Sequence, residues 1–152
     1  MIGERKEENK DTALREARLI IKVGREGYGV AEILIAEDNE DLRDMLKELL
    51  VANGYGVLEA VDGQQAASLA LSERPDLVLM DLALPGTDGL SAVAEIRKQI
   101  PIAEMPIIIV SAYDKLEYRT EAISAGCCGY MTKPIDPTAL LHTIKLLLPA
   151  EA

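Results

Sequence analysis

Short apolar runs alternate with amphipathic segments from Glu32 onward, and these runs predict five strands. They lie at Ile33–Ile35, Val57–Leu58, Leu77–Met80, Ile107–Val110 and Gly129–Met131. Continuous runs of β-branched and aliphatic residues are typical of strands that are buried on both faces. We therefore expect a parallel sheet that is covered by helices on both sides.

The segments between these runs carry apolar residues at helical spacing, and each predicts a helix. The first contains Leu42, Leu46 and Leu50 and ends at Asn53–Gly54. Asp62 is expected to cap the second helix and Thr87 or Asp88 the third. The fourth, Tyr113–Ala125, is the least periodic, and the last contains Leu140, Ile144 and Leu148. The pattern is (βα)5, and right-handed crossovers make it an open, doubly wound α/β sheet.

Three glycines between Gly24 and Val30 coincide with a change in charge. Residues 1–30 hold seven basic and six acidic residues, whereas residues 31–152 hold nine and twenty. We place a domain boundary there: residues 1–30 are an extension, flexible or a short helix over Thr12–Val23, and residues 31–152 are the folded domain. Alternatively, residues 1–29 are a wrongly assigned start, because Val30 directly precedes the first predicted strand and one type of valine codon can initiate translation.

The composition argues against nucleic-acid and membrane partners. The formal charge is −10, and aromatic residues make up 3% of the chain, with no Phe or Trp. Such a chain repels phosphate backbones and anionic lipids and offers few rings for base stacking. Adjacent Cys127 and Cys128 do not suit a disulfide framework, and no apolar run is long enough for a membrane span or a signal peptide. We expect a cytoplasmic protein.

Polar residues follow the predicted strands, and in an open α/β sheet the carboxyl ends of the strands form the binding site. Glu37 and Asp38 follow the first strand, Asp81 the third, Ser111 the fourth and Lys133 the fifth. Carboxylates about 5 Å apart repel by roughly 3 kcal/mol at an effective dielectric near 20, and a hard cation such as Mg²⁺ removes that repulsion. We expect a Mg²⁺ site in which Asp81 is a nucleophile that forms an acyl phosphate, Lys133 offsets charge and Ser111 donates a hydrogen bond to a phosphoryl oxygen.

These residues stand in motifs that resemble the bacterial response-regulator receiver domain of two-component signal transduction, in its stand-alone, single-domain form. The motifs are Ile-Ala-Glu37-Asp38-Asn39, Leu-Met-Asp81-Leu-Ala-Leu-Pro85-Gly86-Thr-Asp-Gly89, Val-Ser111-Ala112 and Gly129-Tyr130-Met-Thr-Lys133-Pro134. The resemblance covers Ala31–Leu148 and implies a flavodoxin-like sheet of strand order 2-1-3-4-5. Glu37 replaces the more usual aspartate, and Ser111 stands where threonine is also common.

The resemblance also implies roles for the site residues. Asp81 would accept a phosphoryl group from a phosphohistidine, and Lys133, joined to Pro134 by a cis peptide bond, would pair with that group. Ser111 and Tyr130 would move together as a switch. Mg²⁺, with Mn²⁺ as an alternative, would be held by Glu37, Asp38, Asp81 and the backbone carbonyl of Ala83.

The implied partners are a sensor histidine kinase or phosphotransfer protein and a downstream protein. The downstream protein would bind residues 113–148, the face of the fourth helix, fifth strand and fifth helix, and homodimer formation is left open. By resemblance the chain is a signalling domain that assists its own phosphorylation and dephosphorylation, not an enzyme with a separate substrate.

Three other functions compete with this one. A phosphatase of the haloacid dehalogenase type needs a second carboxylate where Ala83 stands. A flavodoxin-like FMN-binding protein needs hydroxyls and amides in its first loop, where this chain has Glu37 and Asp38. A receiver-like docking module that is never phosphorylated stays open, although the complete residue set argues against it.

Overall fold

A computed structural model describes residues 30–148 of the protein. The predicted N-terminal extension, apart from Val30, and the short helix within it lie in residues 1–29, outside the described residues, so neither they nor the alternative start at Val30 is tested. Residues 149–152 lie outside them as well. None of the helices within residues 30–148 is long and apolar enough to cross a membrane.

Five strands and five helices alternate along residues 30–148, as the pattern of apolar runs predicts. The strands are β1 (Glu32–Ala36), β2 (Gly56–Ala60), β3 (Leu77–Asp81), β4 (Ile107–Ser111) and β5 (Gly129–Thr132). The helices are α1 (Glu40–Ala52), α2 (Gly63–Glu73), α3 (Gly89–Arg97), α4 (Leu116–Ala125) and α5 (Pro137–Leu147). All strand pairs are parallel and the order is β2-β1-β3-β4-β5, which confirms the flavodoxin-like fold.

The sheet separates two hydrophobic clusters. Successive side chains of a strand point to opposite faces, so Ile33 and Ile35 of β1 lie on one side and Leu34 on the other. The first side is closed by α1 and α5, and its cluster includes Ile33, Ile35, Leu46, Leu50, Leu140 and Ile144. The other is closed by α2, α3 and α4, and its cluster includes Leu34, Ala66, Ala70, Val93, Ile96 and Ala122. The central strands are therefore buried on both faces, which explains their continuous apolar runs.

The two helix caps predicted from the sequence are confirmed, with Asp88 rather than Thr87 at the start of α3. The side chains of Asp62 and Asp88 accept hydrogen bonds from backbone N–H groups in the first turns of α2 and α3. The predicted start of α4 at Tyr113 is wrong, because the helix begins at Leu116. The residue before it, Lys115, makes no side-chain cap, and the N–H of Tyr113 donates to Ser111 Oγ at 3.0 Å instead of entering a helix.

Candidate functional site

The carboxyl edge of the sheet brings the predicted site residues together. The pairing of β1 with β3 sets Ala36 beside Met80, so Glu37 and Asp81, which come next, are neighbours. The pairing of β4 with β5 sets Ser111 beside Thr132, the residue before Lys133. The strand order reverses between β1 and β3, and ligands of such sheets bind at this switch point.

Three carboxylates meet at this point. Glu37, Asp38 and Asp81 each offer an oxygen, and these atoms lie within 4.8 Å of one another. Glu37 and Asp81 are buried, with 3% and 5% of their surface exposed, whereas Asp38 is exposed to solvent. Ionised carboxylates at this separation repel by about 3 kcal/mol at an effective dielectric near 20. The cluster therefore depends on a nearby positive charge.

Lys133 supplies that charge inside the site. Its Nζ donates to Glu37 Oε1 at 2.7 Å and to Asp81 Oδ2 at 3.0 Å. Burial by itself lowers the pKa of Lys133, but the hydrogen bonds and the charges of Glu37 and Asp81 outweigh burial, so the pKa is raised. The ammonium group is therefore fully protonated at neutral pH. The peptide bond between Lys133 and Pro134 is cis, the geometry that the resemblance implies.

Backbone N–H groups hold the other oxygens of the two buried carboxylates. Ala83 donates to Asp81 Oδ1 at 3.1 Å, and Asn39 donates to Glu37 Oε2 at 3.1 Å. Gly89 lies so close to Asp81 that a Cβ on Gly89 would come within 2.2 Å of the Asp81 carbonyl oxygen. The start of α3 therefore packs directly on the backbone of Asp81.

Ser111 and Tyr130 are linked through the loop after β4. Ser111 is 1% exposed, and its Oγ accepts a hydrogen bond from the N–H of Tyr113. The hydroxyl of Tyr130 donates to the carbonyl oxygen of Tyr113. The guanidinium carbon of Arg119 lies 4.9 Å from the centre of the Tyr130 ring, within the range of a cation–π contact. Tyr130 thus contacts the same loop residue as Ser111.

Two arginines near the site were not identified from the sequence. Arg43 Nη1 donates to the carbonyl oxygen of Glu37 at 3.0 Å, and Arg43 Nε lies 3.4 Å from Glu59 Oε1. Arg119, which lies over Tyr130, also pairs with Asp114. The sequence contains acidic residues with which either arginine can pair, but it does not indicate which of them is the partner.

The donor set suits a small, hard divalent cation. Mg²⁺ prefers oxygen ligands and is usually held by one or two carboxylates together with water molecules. Here two carboxylates are fixed by hydrogen bonds, and the third, on Asp38, faces solvent. No His or Cys belongs to the cluster, so softer transition metals have no preferred ligand in it.

Known proteins resemble this chain in both sequence and structure. Residues 33–145 match the sequence model of the response regulator receiver domain. The chain is 35% identical over 119 residues to protein PilH of Pseudomonas aeruginosa, covering 78% of this chain and 98% of PilH. The chain is also 33% identical over 116 residues to the phosphate regulon transcriptional regulatory protein PhoB of the same organism. That alignment covers 76% of this chain but only 51% of PhoB.

A solved receiver domain has the same fold. It belongs to the sensor histidine kinase PA1611 of Pseudomonas aeruginosa and superposes with a TM-score of 0.72 at 35% identity, covering 78% of this chain and 97% of that one. Its structure holds a magnesium ion in the active-site cleft.

Proposed function

The chain belongs to the response regulator receiver family of two-component systems, and we propose that Asp81 is its phosphoacceptor. Receiver domains are signalling domains rather than enzymes with a separate substrate. The family assignment argues against the phosphatase and the FMN-binding alternatives. The observation that carries the proposal is the meeting of three carboxylate oxygens within 4.8 Å at the end of β3, with Lys133 bonded to two of these carboxylates.

The proposed metal ligands are the carboxylates of Glu37, Asp38 and Asp81 and the backbone carbonyl of Ala83. Mg²⁺, or Mn²⁺ in its place, would neutralise the crowded carboxylates and the negative charge of an incoming phosphoryl group. The exposure of Asp38 and the acidic character of the cluster support this assignment.

In the proposed reaction a carboxylate oxygen of Asp81 attacks the phosphorus atom of a phosphohistidine. A P–O bond forms to Asp81 as the P–N bond breaks, and the electron pair of that bond stays on the imidazole nitrogen of the donor. Lys133 Nζ, which already contacts Asp81, would donate to a phosphoryl oxygen, and the hydroxyl of Ser111 would donate to another. The chain contributes position and charge, as is usual in phosphoryl transfer.

The proposed output is a change on the face formed by α4, β5 and α5, residues 113–148. Phosphorylation would add about 1.5 to 2 negative charges at Asp81. If Ser111 Oγ turns to the phosphoryl group, it gives up its hydrogen bond with the N–H of Tyr113, and Tyr113 also accepts the bond from Tyr130. The loop therefore links Ser111 to Tyr130, which lies on the surface that would bind a downstream protein, and the phosphoryl group would supply the connection from Asp81 to Ser111.

The proposed partners follow from this chemistry. The phosphoryl donor is the phosphohistidine of a sensor histidine kinase or of a phosphotransfer protein. The downstream partner is a protein that binds residues 113–148. Self-association through that face is a second way in which the change could be read.

Intact-mass measurement after incubation with acetyl phosphate tests the phosphoacceptor. We expect one phosphate adduct that needs Mg²⁺ and is lost at alkaline pH, because an acyl phosphate is hydrolysed by base. Asp81→Asn should form none. Asp44→Asn is the matched control, because Asp44 is an exposed carboxylate on α1, and it should be labelled like the unmodified chain.

An adduct that persists in Asp81→Asn would refute the assignment. If the unmodified chain neither forms an adduct nor responds to a beryllofluoride mimic of the phosphoryl group, the docking module that is never phosphorylated becomes the better explanation.

A further inference from the structure

We propose that Arg43 is a positioning residue for the metal site, which holds the loop of residues 37–39 in place and is itself oriented by Glu59. The inference rests on the proposed function, because it concerns the affinity of the site formed by Glu37, Asp38 and Asp81 for Mg²⁺.

The main chain of Glu37 is bound to the end of β2 in two ways, directly through its N–H and indirectly, through Arg43, by its carbonyl oxygen. The N–H of Glu37 donates directly to the carbonyl oxygen of Ala60 at 3.0 Å. The carbonyl oxygen of Glu37 accepts a hydrogen bond from Arg43 Nη1 at 3.0 Å, and Arg43 Nε lies 3.4 Å from Glu59 Oε1. Glu59 and Ala60 are consecutive residues of β2, so one strand end fixes the loop from two sides.

Arg43 is less exposed to solvent than the residues of a surface ion pair usually are. Its side chain is 15% exposed, against 49% for Lys47, which also pairs with Glu59. Its own N–H donates to Asn39 O at 2.9 Å in the first turn of α1. Solvent screens a partly buried charge-assisted hydrogen bond such as this one less than an exposed one. Arg43 therefore connects α1, the loop and β2.

The loop carries two of the proposed metal ligands, Glu37 and Asp38, and they are held to different degrees. The Glu37 carboxylate accepts hydrogen bonds from Lys133 Nζ and from the N–H of Asn39, which itself belongs to the loop. Asp38 is exposed and has only its backbone to direct it. Loss of the Arg43 bond would free the carbonyl of Glu37, and the Asp38 carboxylate, which follows it directly in the loop, would spread over more orientations. Residues that orient metal ligands typically change metal affinity by about 10-fold to 100-fold when they are removed.

A purely electrostatic role for Arg43 predicts the opposite sign. A guanidinium near a cation site repels the cation, so its removal would tighten Mg²⁺ binding. Lys47→Gln isolates this effect, because Lys47 carries the same charge and pairs with the same Glu59 but does not contact Glu37. The direction of the change therefore separates positioning from charge.

The test is isothermal titration of Mg²⁺ into the full chain and into Arg43→Gln, Glu59→Gln and Lys47→Gln. We expect Arg43→Gln to raise the Kd for Mg²⁺ by about tenfold or more, Glu59→Gln to raise it less, and Lys47→Gln to leave it unchanged or slightly lower. Arg43→Lys keeps the charge but reaches only one of its two partners, so its Kd should lie between those of the unmodified chain and Arg43→Gln. Urea unfolding in EDTA accompanies each titration, to show that each variant is folded.

Two results would overturn the inference, and they differ. If the unmodified chain binds Mg²⁺ and Arg43→Gln binds it as tightly as Lys47→Gln does, Arg43 has no positioning role and the metal site stands. If the unmodified chain binds no Mg²⁺, the proposed metal site is wrong and the inference falls with it.

Discussion

At the scale of single residues, the charge of Lys133 balances the two buried carboxylates of the site. Its ammonium group bridges Glu37 and Asp81, two carboxylates with side chains only 4% and 7% exposed. Forming such a pair adds little to the free energy of unfolding, because desolvation offsets the attraction. Removing one partner is costly, since a buried charge is then left without compensation. In Lys133 variants the two carboxylates would face each other without a cation.

Lys133→Met should lower the free energy of unfolding by about 2 to 3 kcal/mol at pH 7 in EDTA, as measured by urea denaturation. This is below the 3 to 5 kcal/mol found for fully buried pairs, because the Lys133 side chain is 24% exposed. The pKa of Lys133 is raised in the folded state. Its contribution is therefore complete below the unfolded pKa near 10.4 and is lost as the pH rises through the folded value.

Lys47→Met is the control for this measurement. Its pair with Glu59 is exposed and should contribute less than about 1 kcal/mol. Mg²⁺ should restore part of the stability of Lys133→Met, because it replaces the missing positive charge. Equal stability of Lys133→Met and the unmodified chain in EDTA would show that the carboxylates do not need the lysine.

At the scale of helices and strands, α2 packs very closely against the loop after β3. A Cβ on Gly63, the first residue of α2, would lie 1.7 Å from the carbonyl oxygen of Thr87. Thr87 belongs to the loop that runs from Asp81 to α3. The start of α2 therefore packs against the loop that contains Ala83, and only glycine, which has no side chain, fits at position 63.

Gly63→Ala should lower the free energy of unfolding by about 2 to 3 kcal/mol, because backbone must move to admit the methyl group. Gly129→Ala is the matched control: its Cβ would meet Ile108 at an ordinary 3.5 Å, and its cost should stay below about 1 kcal/mol. Urea denaturation of both variants decides. A Gly63→Ala chain as stable as Gly129→Ala would mean that the loop after β3 yields easily.

Among the helices, α4 has the weakest hold on the rest of the fold. Its only buried residue is Ala122, its N-terminus has no side-chain cap, and Leu116 and Ile123 are 77% and 68% exposed. Few buried contacts mean a low free energy for local opening. An element of this kind suits the proposed switch, because a small change at Ser111 and Tyr113 can move it.

At the scale of the whole molecule, acidic residues are in excess, and three of them meet at the carboxyl edge of the sheet. Residues 31–152 hold twenty acidic and nine basic residues, and two acidic side chains, Glu37 and Asp81, are buried at the carboxyl edge of the sheet. Like charges that are close together destabilise the compact state. A cation bound at this edge should therefore stabilise the whole domain and not only the loops around it.

Mg²⁺ at a hundred times its Kd should raise the free energy of unfolding by about 2.7 kcal/mol, because it binds the folded state alone. Thermal unfolding in MgCl₂ should give a higher Tm than in NaCl of equal ionic strength. Asp38→Asn should reduce this difference while leaving the Tm in EDTA equal or higher, since one repelling charge is gone. Equal Tm values in the two salts would contradict a specific metal site.

Much of this organisation is encoded in local patterns. The runs around Leu34, Val78 and Ile109 predict buried parallel strands because only strands covered on both faces tolerate unbroken apolar sequence. Asp62 and Asp88 predict helix starts because a carboxylate can satisfy free N–H groups. The same logic failed at α4, where Lys115 offers no cap and the periodicity is weak. The start of a helix that has neither a capping side chain nor regular apolar spacing cannot be predicted from its own residues.

The sequence by itself determined the order of the elements, the five-stranded α/β class and the residues at the ends of the strands, because hydrophobic periodicity, caps and strand-end positions are local properties. Only the tertiary structure decided that Lys133 bridges Glu37 and Asp81, that Arg43 holds the carbonyl of Glu37, and that Tyr130 meets the loop after Ser111. These contacts join residues on different elements or loops, and the two made by Lys133 span 96 and 52 positions. Their geometry depends on strand register and helix packing, which no local pattern specifies.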